Sequence, residues 1–361
     1  MADNINKKFI SETLFVIASI LVICLFILTS EHNNLKTRQE LLPDISIHGK
    51  TMGTTYTILF RSPKFDTSIV KNEIDSILKV INNSMSTYIS NSEISTFNQL
   101  AKDKPMEIST HFYNVLNSAS HYHKLSNKKF DPTIELLYNL WGFKGSRFID
   151  EPSKEDIDSV MHFVGMDKII LNDKLGHSNS KYLISKIENN VSLDLSAIAK
   201  GYAVDIISKF LSSKGFDSHF VEIGGEIRTL SNSLPWSIGI QNPFLIGNSI
   251  EQIHILNKSV ATSGNYVNYI EYLNTGSIKT HIIDPLTGYP LDVENGLISS
   301  ATVISDNCID ADALATTLML LDVDEAMDLI DNLDDSEAFI IYLKDSTLQT
   351  RETLGFNEFR D

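Results

Sequence analysis

The stretch SLDLSAIAKGYAVD, residues 192–205, joins two kinds of local sequence pattern. A strand-like run precedes it over residues 181–195, and a helix-like run follows over residues 198–214. Gly215 comes directly after the second run, at the position where a glycine commonly ends a helix. The stretch therefore predicts a strand that passes almost directly into a helix.

The polar residues at this junction are candidates for ligand binding. Asp194 is predicted to end the strand, and Ser196 to cap the helix. Lys200 and Gly201 then fall in the first turns of the helix. Backbone N–H groups and a cation would meet near one carboxylate, an arrangement that suits a phosphate-containing ligand. For this segment alone, an ordinary capped helix with a solvated lysine is the alternative.

In the rest of the chain, strand-like runs outnumber helix-like runs. A strand pair or hairpin is predicted around Gly53, over residues 47–60. Helices are predicted over 68–85, 111–125, 309–320 and 324–332, and further strands over 219–228, 236–241, 252–261, 266–273, 297–305 and 339–343. Because the helices are too few to serve as crossovers between parallel strands, we predict an α+β fold with largely antiparallel sheets and packed helices.

An acidic segment over residues 306–320 is a candidate cation site. Asp310, Asp312 and Thr316 lie there among small and apolar residues. Asp312 and Thr316 are four residues apart, so they share one face of the predicted helix and offer two oxygen ligands to a hard cation. Acidic residues near a helix start also simply complement the helix dipole, which is the alternative.

The segment THIIDPLTGYP, residues 280–290, contains the best candidate for a general base. It is predicted to be a strand that enters a turn at Pro285 and Gly288. The unperturbed pKa of a histidine lies near neutral pH, and Asp284 is close enough in sequence to orient the His281 ring. A structural role for His281 is the alternative.

Three shorter pieces indicate contacts with a flat or close-lying ligand. Gly53, after Met52, would let a ligand or a backbone approach closely. Tyr88 stands among polar residues, and so does Phe130, between Lys129 and Asp131. These aromatic rings could stack on a flavin or an adenine, or could equally belong to the edge of the core.

Composition excludes some classes of function. The chain has 361 residues, of which 42% are hydrophobic, so it can bury a sizeable core. Its net charge of −16 argues against nucleic acid as a partner, because nucleic acid needs basic surfaces. Apart from Cys24, the only cysteine is Cys308, so we expect no disulfide within the body of the protein.

The N-terminus differs from the rest of the chain. An apolar run over residues 14–28 follows Lys7 and Lys8. We predict a signal or anchor segment over 1–30, a tether over 31–44 and a catalytic domain over 45–350. The basic pair favours a cytoplasmic N-terminus and an exported body, with an uncleaved anchor helix preferred over a cleaved signal or a lipoprotein. We therefore expect a protein of the bacterial inner membrane whose domain faces the periplasm.

Eight segments resemble motifs of the FAD:protein FMN transferase (ApbE-like) family, in their residues and in their order along the chain, over residues 49–343. The matching segments are MGTTYTI, MSTYISNSEISTFN, FDPTIELLYNLWGF, LDLSAIAKGYAVD, VEIGGEIR, SVATSGNYVNY, HIIDPLTGYP and DADALATTLMLL. The resemblance implies an ApbE-like, T-fold-like α+β domain. It also implies transfer of FMN from FAD to a threonine or serine of an exported acceptor protein, with release of AMP.

The resemblance assigns roles by position. The residues that match FAD contacts of the family are Met52, Tyr88, Lys129, Phe130, Asp131, Asp194, Lys200 and Ile283. The Ala197 carbonyl, Asp312 and Thr316 match the Mg²⁺ ligands, while His281 and Asp284 match residues associated with activating the acceptor hydroxyl. Glu135 stands where relatives often carry glycine, which puts the local loop shape in doubt.

Other functions remain compatible with these residues. The same site with water as the acceptor would be a magnesium-dependent FAD pyrophosphatase that produces FMN and AMP. A flavin-binding or electron-carrying protein without catalysis, and an adhesin or scaffold without flavin affinity, are alternatives of other classes.

Overall fold

The computed structural model describes residues 44–360 apart from 64, 146–149, 175–180, 233, 246, 267, 293–296 and 346. The predicted anchor over 1–30, and the predicted tether except for residue 44, lie outside the described residues. No helix within the described part of the chain is both long and apolar enough to cross a membrane.

Sixteen strands and eight α-helices are described. The strands are β1 (Asp44–Thr51), β2 (Thr54–Arg61), β3 (Met106–Ile108), β4 (Ile169–Lys174), β5 (Lys181–Lys186), β6 (His219–Ile223), β7 (Glu226–Leu230), β8 (Trp236–Gln241), β9 (Ser249–Ile255), β10 (Ser259–Gly264), β11 (Tyr269–Glu271), β12 (Ile278–Ile283), β13 (Pro290–Asp292), β14 (Ile298–Ser305), β15 (Ser336–Lys344) and β16 (Thr347–Glu352). The helices are α1 (Ser68–Met85), α2 (Glu93–Gln99), α3 (Thr110–Leu125), α4 (Glu135–Leu140), α5 (Lys154–Met161), α6 (Ser196–Ser213), α7 (Cys308–Leu318) and α8 (Val323–Asp331). Short 3₁₀ helices cover Met166–Lys168 and Leu354–Phe359.

An eight-stranded sheet organises the molecule, in the order β1-β2-β6-β7-β10-β14-β15-β16. Every neighbouring pair in it is antiparallel, as the sequence predicts. Strand β14 is buried on both faces, so each of its side chains belongs to a core. Ala301 and Val303 face the larger core beneath the helices, whereas Ile304 faces a smaller one under the β8–β9 hairpin. The period-two alternation of a strand explains this division.

Helices α6 and α7 form the layer over the centre of the large sheet. They contact each other, and they also contact β6, β7, β10 and β14. Ten residues of α6 are buried, as expected for a helix with neighbours on most sides.

Two smaller three-stranded sheets flank this body, in the orders β11-β12-β13 and β3-β5-β4. The first contains His281 on β12. It packs against α4 and α5 through a separate apolar cluster that includes Trp141, Tyr272 and Ile283. This cluster therefore supports one face of the strand that contains the predicted base, while Ile282 on the same strand packs in the main core.

Most local predictions agree with the elements. The strand-like runs predicted over 219–228 and 252–261 each cover parts of two strands, β6 with β7 and β9 with β10. Helix α1 has the predicted bounds, and β1 and β2 form the predicted hairpin. The strand predicted over 181–195 is wrong beyond Lys186, because residues 187–195 have no regular secondary structure. Val191, Leu193 and Leu195 are nevertheless buried, so their apolar alternation reflects burial and not strand pairing.

Candidate active site

The predicted site residues surround one cavity of about 660 Å³ between the large sheet, the helix layer and the small β11-β12-β13 sheet. The predicted residues that line it are Met52, Tyr88, Lys129, Phe130, Asp131, Asp194, Ala197, Lys200, His281, Ile283, Asp312 and Thr316. Asp284 adjoins the cavity through an ion pair with Lys129, whose Nζ lies 2.8 Å from Asp284 Oδ2. Residues from distant parts of the sequence thus meet in one place.

The close contact of α6 with α7 brings Lys200 next to Asp312. A Cβ atom added to Gly201 would lie 2.2 Å from the carbonyl oxygen of Cys308, so only glycine allows the two helices to approach this closely. The Gly201 N–H donates a hydrogen bond to Asp312 Oδ2 at 2.9 Å. Gly201 therefore sets both the helix spacing and the orientation of the Asp312 carboxylate.

Asp205, at the end of the same sequence stretch, caps the N-terminus of α7. Its carboxylate accepts hydrogen bonds from the N–H groups of Cys308 and Ile309, both at 3.0 Å. Arg228 donates to the same carboxylate at 2.8 Å. These contacts fix the helix that contains Asp312 and Thr316, and they satisfy N–H groups that a helix start leaves unpaired.

At the start of α6, the capping contact differs from the predicted one. Ser196 is the first residue of the helix, not its cap. Asp194 Oδ1 accepts the Ser196 N–H at 2.7 Å, so the aspartate performs the capping role. Burial would raise the pKa of Asp194, but the nearby Lys144 ammonium and the Ser196 hydrogen bond outweigh burial and lower it. Asp194 is therefore ionised at neutral pH.

Lys200 lies between two buried carboxylates. Its Nζ contacts Glu226 Oε1 and is 3.7 Å from Asp312 Oδ1. Burial alone would lower the pKa of Lys200, but the charges of Asp312 and Glu226 raise it, so the ammonium form persists. Burial also raises the pKa of Asp312, and Lys200 opposes that shift.

Thr316, one turn after Asp312 on α7, places its Oγ1 3.2 Å from Ser263 Oγ on β10. Asp312, Thr316, Ser263 and Ala197 all line the cavity near this point. Within the described residues, no group of three or more His, Cys, Asp or Glu side chains is arranged to hold a metal ion. A cation here would thus take a mixed set of carboxylate, hydroxyl and carbonyl oxygens, which is the ligand type that Mg²⁺ accepts.

The ring of His281 is oriented by a backbone carbonyl. Its Nδ1 lies 3.1 Å from the Asn268 oxygen, which also accepts the His281 backbone N–H at 3.1 Å. A carbonyl can only accept, so Nδ1 has the proton and Nε2 of the neutral ring is an unprotonated base. Burial lowers the pKa of His281, the hydrogen bond to Asn268 opposes this, and the charge of Lys200 lowers the pKa further.

The predicted contact between Asp284 and His281 is replaced by other contacts. Asp284 pairs with Lys129, and its Oδ1 accepts the Leu286 N–H at 2.9 Å. The turn after β12 directs the aspartate towards Lys129, so the orienting role that we predicted for Asp284 belongs to Asn268. The expectation from the family resemblance that Asp284 takes part in activating the acceptor hydroxyl stays a prediction.

The other end of the cavity is aromatic and contains a second buried lysine. Lys144 contacts the carboxylates of Glu135 and Asp194 and donates to Thr87 Oγ1 at 2.6 Å. Its ammonium lies 5.6 Å from the ring centre of Tyr88, which is 81% exposed. Glu135, whose effect on the local loop was in doubt, begins α4 and pairs with Lys144. Burial raises its pKa to about 7, and Lys144 opposes that shift.

Several residues of the cavity were missed by the sequence reasoning. They are Glu226, Lys144, Ser263, Asn268 and Tyr138. Glu226 follows two glycines in VEIGGEIR, a turn signal that could have drawn attention to it. The side chains of Lys144 and Ser263 reach the cavity only through tertiary contacts, and Asn268 acts through its carbonyl, which no side-chain pattern predicts.

A cavity that combines an ammonium, buried oxygen ligands and a neutral histidine is typical of enzymes that act on phosphate-containing ligands. Comparison with known proteins identifies the family within this class of enzymes. The model of the ApbE family matches residues 52–340. The chain therefore belongs to the ApbE family and is a transferase.

Individual relatives agree with this assignment. A Vibrio cholerae protein named FAD:protein FMN transferase is 35% identical over 290 residues, which cover 78% of this chain and 83% of the relative. A Haemophilus influenzae protein of the same name is 34% identical over 327 residues, which cover 88% and 92%. The solved structure of the flavin transferase ApbE from Vibrio cholerae matches with a TM-score of 0.76 and 32% identity, and covers 88% of this chain and 99% of that one.

Proposed function

We propose that this protein transfers the FMN part of FAD to a threonine or serine hydroxyl of an exported acceptor protein, with Mg²⁺ as cofactor and AMP as the leaving product. The observation that supports this most directly is the presence, in one cavity, of the Lys200–Asp312 pair and of His281 with an unprotonated Nε2. The first suits a pyrophosphate and its cation, and the second suits activation of a hydroxyl. The names of the relatives support the choice of FAD.

The cavity is suitable for a large dinucleotide. Its volume of about 660 Å³ lies within the range of about 300–1,000 Å³ that is usual for cofactor sites. Tyr88 and Tyr138 offer aromatic surfaces at one end, while Lys200 and Asp312 offer charges at the other. We therefore place a ring system of FAD near the tyrosines and the pyrophosphate near Lys200.

The charges of the cavity support a need for a divalent cation. Its three lysines, Lys129, Lys144 and Lys200, are each ion-paired with a carboxylate. The two negative charges of the FAD pyrophosphate would thus gain little net neutralisation from the protein alone. Asp312, Thr316 and the Ala197 carbonyl would hold Mg²⁺, whose chemistry is to neutralise charge on the pyrophosphate during phosphoryl transfer.

Asp312 can supply an oxygen to such a cation. Its Oδ2 is engaged by the Gly201 N–H, whereas its Oδ1 lies 3.7 Å from Lys200 Nζ, beyond normal hydrogen-bond distance. Oδ1 therefore remains available for a ligand. This geometry fits the cation assignment that the family resemblance implies.

The protein side chains would act on the proton and the phosphate charges. His281 Nε2 takes the proton of the acceptor hydroxyl, and the hydroxyl oxygen attacks the phosphorus on the FMN side. A P–O bond forms to the acceptor while the P–O bond to AMP breaks. The Lys200 ammonium stabilises the negative charge that AMP carries away.

We also propose that the domain works outside the cytoplasm, held to the inner membrane by the N-terminal segment. The support is the apolar run over residues 14–28 with Lys7 and Lys8 before it. Mass spectrometry of extracytoplasmic proteins for added FMN, with the gene intact and deleted, would identify the acceptor.

The proposed function is tested by incubating the full-length protein with FAD, with or without a Thr-containing acceptor, and with Mg²⁺ or EDTA. Transfer predicts an FMN-sized mass increase on the acceptor and acceptor-dependent AMP release, both lost in EDTA. Fast AMP release without acceptor would show an FAD pyrophosphatase instead. If FAD bound but stayed intact, the protein would be a flavin-binding protein without catalysis. If FAD did not bind, the adhesin or scaffold alternative would be favoured.

His281→Ala should slow transfer by about 10²–10⁴-fold, the usual contribution of a general base. FAD affinity should change much less, since His281 acts on the acceptor. Because the pKa of His281 lies below its ordinary value of 6.5, the wild-type rate should be constant at neutral pH and fall only in more acidic buffer. Single-turnover rates and FAD titrations measure both quantities. An equal loss of FAD affinity and rate would contradict the assignment of the base.

Asp312→Asn should lower transfer by about 100-fold or more, because a bound metal contributes several kcal/mol of charge stabilisation. Asparagine keeps the side-chain shape and an acceptor for the Gly201 N–H, so the fold should persist. Mn²⁺ binding by calorimetry and thermal unfolding provide the measurements. Unchanged Mn²⁺ affinity would remove Asp312 from the cation site.

A further inference from the structure

Glu226 is the nearest carboxylate to Lys200. Glu226 Oε1 contacts Lys200 Nζ directly, whereas Asp312 Oδ1 is 3.7 Å away. The side chain of Glu226 is only 4% exposed, while that of Lys200 is 28% exposed. The carboxylate is thus the fixed partner of this pair, and the longer, more exposed lysine is the one that can move.

The backbone around Glu226 explains why its carboxylate is fixed. Glu226 begins β7 immediately after Gly224 and Gly225, whose φ angles are +63° and +106°. A Cβ at Gly224 would lie 2.7 Å from Thr54 Cγ2, so this turn packs closely on the β1–β2 hairpin. The register pairs Ile223 with Glu226 across the turn. A tight turn between two paired strands leaves the glutamate little freedom.

The second oxygen of Glu226 points to a role in the cavity and not in the core. Oε2 is buried and has no hydrogen-bond partner among the described residues. A buried carboxylate with an unpaired oxygen is costly, and a purely structural site would usually satisfy both oxygens. What the site gains is a carboxylate beside Lys200, whose ammonium opposes the rise in pKa that burial causes in Glu226.

Lys200 and Asp312 have opposite tasks in the proposed reaction. The ammonium should face the anionic pyrophosphate, and the carboxylate should face a cation. If the two paired with each other, each would lose the charge that its task needs. Glu226 separates them, because it engages the ammonium more closely than Asp312 does.

We infer that Glu226 is a positioning residue, which holds the Lys200 ammonium off Asp312 and so leaves Lys200 for the phosphates of the dinucleotide. The inference rests on the proposed function for the identity of the ligand. In Glu226→Gln the lysine would turn to Asp312, and its ammonium would no longer face the phosphates.

The test is a double-mutant cycle on FAD binding in EDTA, measured by flavin fluorescence with full-length protein. Glu226→Gln should weaken FAD binding by about fivefold or more, as expected when one partner of a buried charge pair is removed. In a Lys200→Met background the same change should leave the dissociation constant within about twofold or tighten binding, because only an anion near the phosphates is removed. This dependence on Lys200 distinguishes positioning from a general effect.

Three outcomes would overturn the inference. Equal weakening in both backgrounds would mean that Glu226 contacts FAD itself or only maintains the fold. Unchanged or tighter binding in Glu226→Gln alone would mean that Glu226 merely neutralises Lys200. Wild-type protein that bound no FAD in EDTA would show that Lys200 is not presented to an anion.

Two further measurements keep these outcomes distinct. Thermal unfolding monitors the fold, and Glu226→Asp replaces Glu226→Gln if the latter does not fold. Glu226→Asp should lower FAD affinity less than Glu226→Gln does, and this loss should again depend on the presence of Lys200. The transfer assay on wild-type protein is independent of the cycle, so an active wild type with a failed cycle would refute only the role of Glu226.

Discussion

Lys186, the last residue of β5, is a fully buried lysine directly before the irregular segment 187–195. Its ammonium donates to the carbonyl oxygens of Asn98 at 2.9 Å and Val191 at 2.8 Å. Burial lowers its pKa to about 8. The lysine therefore ties the irregular segment before α6 to the end of α2, where a strand ladder would otherwise satisfy the backbone.

Stability should rise with pH between about 8 and 10.5 because of Lys186. Its folded-state pKa lies below the ordinary value of 10.5, so the unfolded state binds more protons over this range. Across this range the free energy of unfolding should increase by about 3 kcal/mol, at 1.36 kcal/mol per pKa unit. Urea unfolding at several pH values measures it.

The control for this prediction is Lys186→Met, which cannot titrate. Comparison with the variant cancels contributions from other groups that titrate in the same range. If wild type and Lys186→Met showed the same pH dependence, Lys186 would not carry the effect.

At the scale of elements, the contact between α6 and α7 determines the end of the cavity where Lys200 and Asp312 meet. Gly201 allows the approach, and Asp205 caps α7 from α6. Lys200 is adjacent to Gly201, so the packing contact and the charge pair form on the same turn of α6. Stability and site geometry depend on the same few residues here.

Gly201→Ala should destabilise the protein by about 1–3 kcal/mol, the usual cost of overpacking. The added methyl would meet the Cys308 carbonyl at 2.2 Å and Asp312 Cβ at 2.8 Å, and the first contact is backbone that cannot rotate away. Because α7 must shift, Mn²⁺ affinity should fall as well. Denaturant unfolding and calorimetry provide the measurements.

Gly145→Ala is the matched control, since a Cβ there meets nothing within 4 Å. Its unfolding free energy should change by less than about 0.5 kcal/mol, as for ordinary surface substitutions. Similar losses for both variants would show that the close helix approach is not the cause.

At the scale of the whole molecule, a separate apolar cluster holds the small sheet that contains His281. Trp141 Nε1 donates to the Gly288 carbonyl at 2.8 Å, and the Tyr272 hydroxyl donates to the Trp141 carbonyl at 2.6 Å. Ile283, two residues after His281, packs in the same cluster. The strand with His281 is therefore supported by this cluster through Ile283 and by the main core through Ile282, whereas the helix with Asp312 is supported by the main core.

Trp141→Phe should lower the transfer rate more than it lowers FAD affinity. Phenylalanine fills most of the space but leaves the buried Gly288 carbonyl unpaired, at a cost of about 1–3 kcal/mol. The turn after β12 would loosen and misplace His281, while the Lys200 end stays intact. Single-turnover rates and FAD titrations test this expectation.

Trp236→Phe is the control, because its Nε1 donates to the Leu230 carbonyl and its ring lies 5.6 Å from that of Phe220, which packs against the smaller core under the β8–β9 hairpin. It should lower the melting temperature without changing the transfer rate. Equal rate losses for both tryptophan variants would mean that the small β11-β12-β13 sheet is not specifically involved.

Elements that depend on short-range sequence patterns were predicted well. The apolar spacing of α1, with Ile74, Leu78 and Ile81 buried, fixed its bounds, and the β1–β2 hairpin followed from alternation around Gly53. The eight motifs also identified residues that meet in one cavity, because their order resembles a known family. The predictions were wrong where the alternation of Val191, Leu193 and Leu195 was taken for the extension of a strand, and where the runs over 219–228 and 252–261 were not divided into two strands.

The amino-acid sequence by itself determined the local elements, the antiparallel α+β class and the chemical types present in the site. Tertiary structure decided the partners: Asp284 with Lys129, His281 with the Asn268 carbonyl, and Lys200 with Glu226. The physical reason is the separation along the chain over which each kind of interaction acts. Periodicity and turn residues act over a few positions, whereas charges and hydrogen bonds pair whichever groups the packing of distant segments brings within about 3 Å.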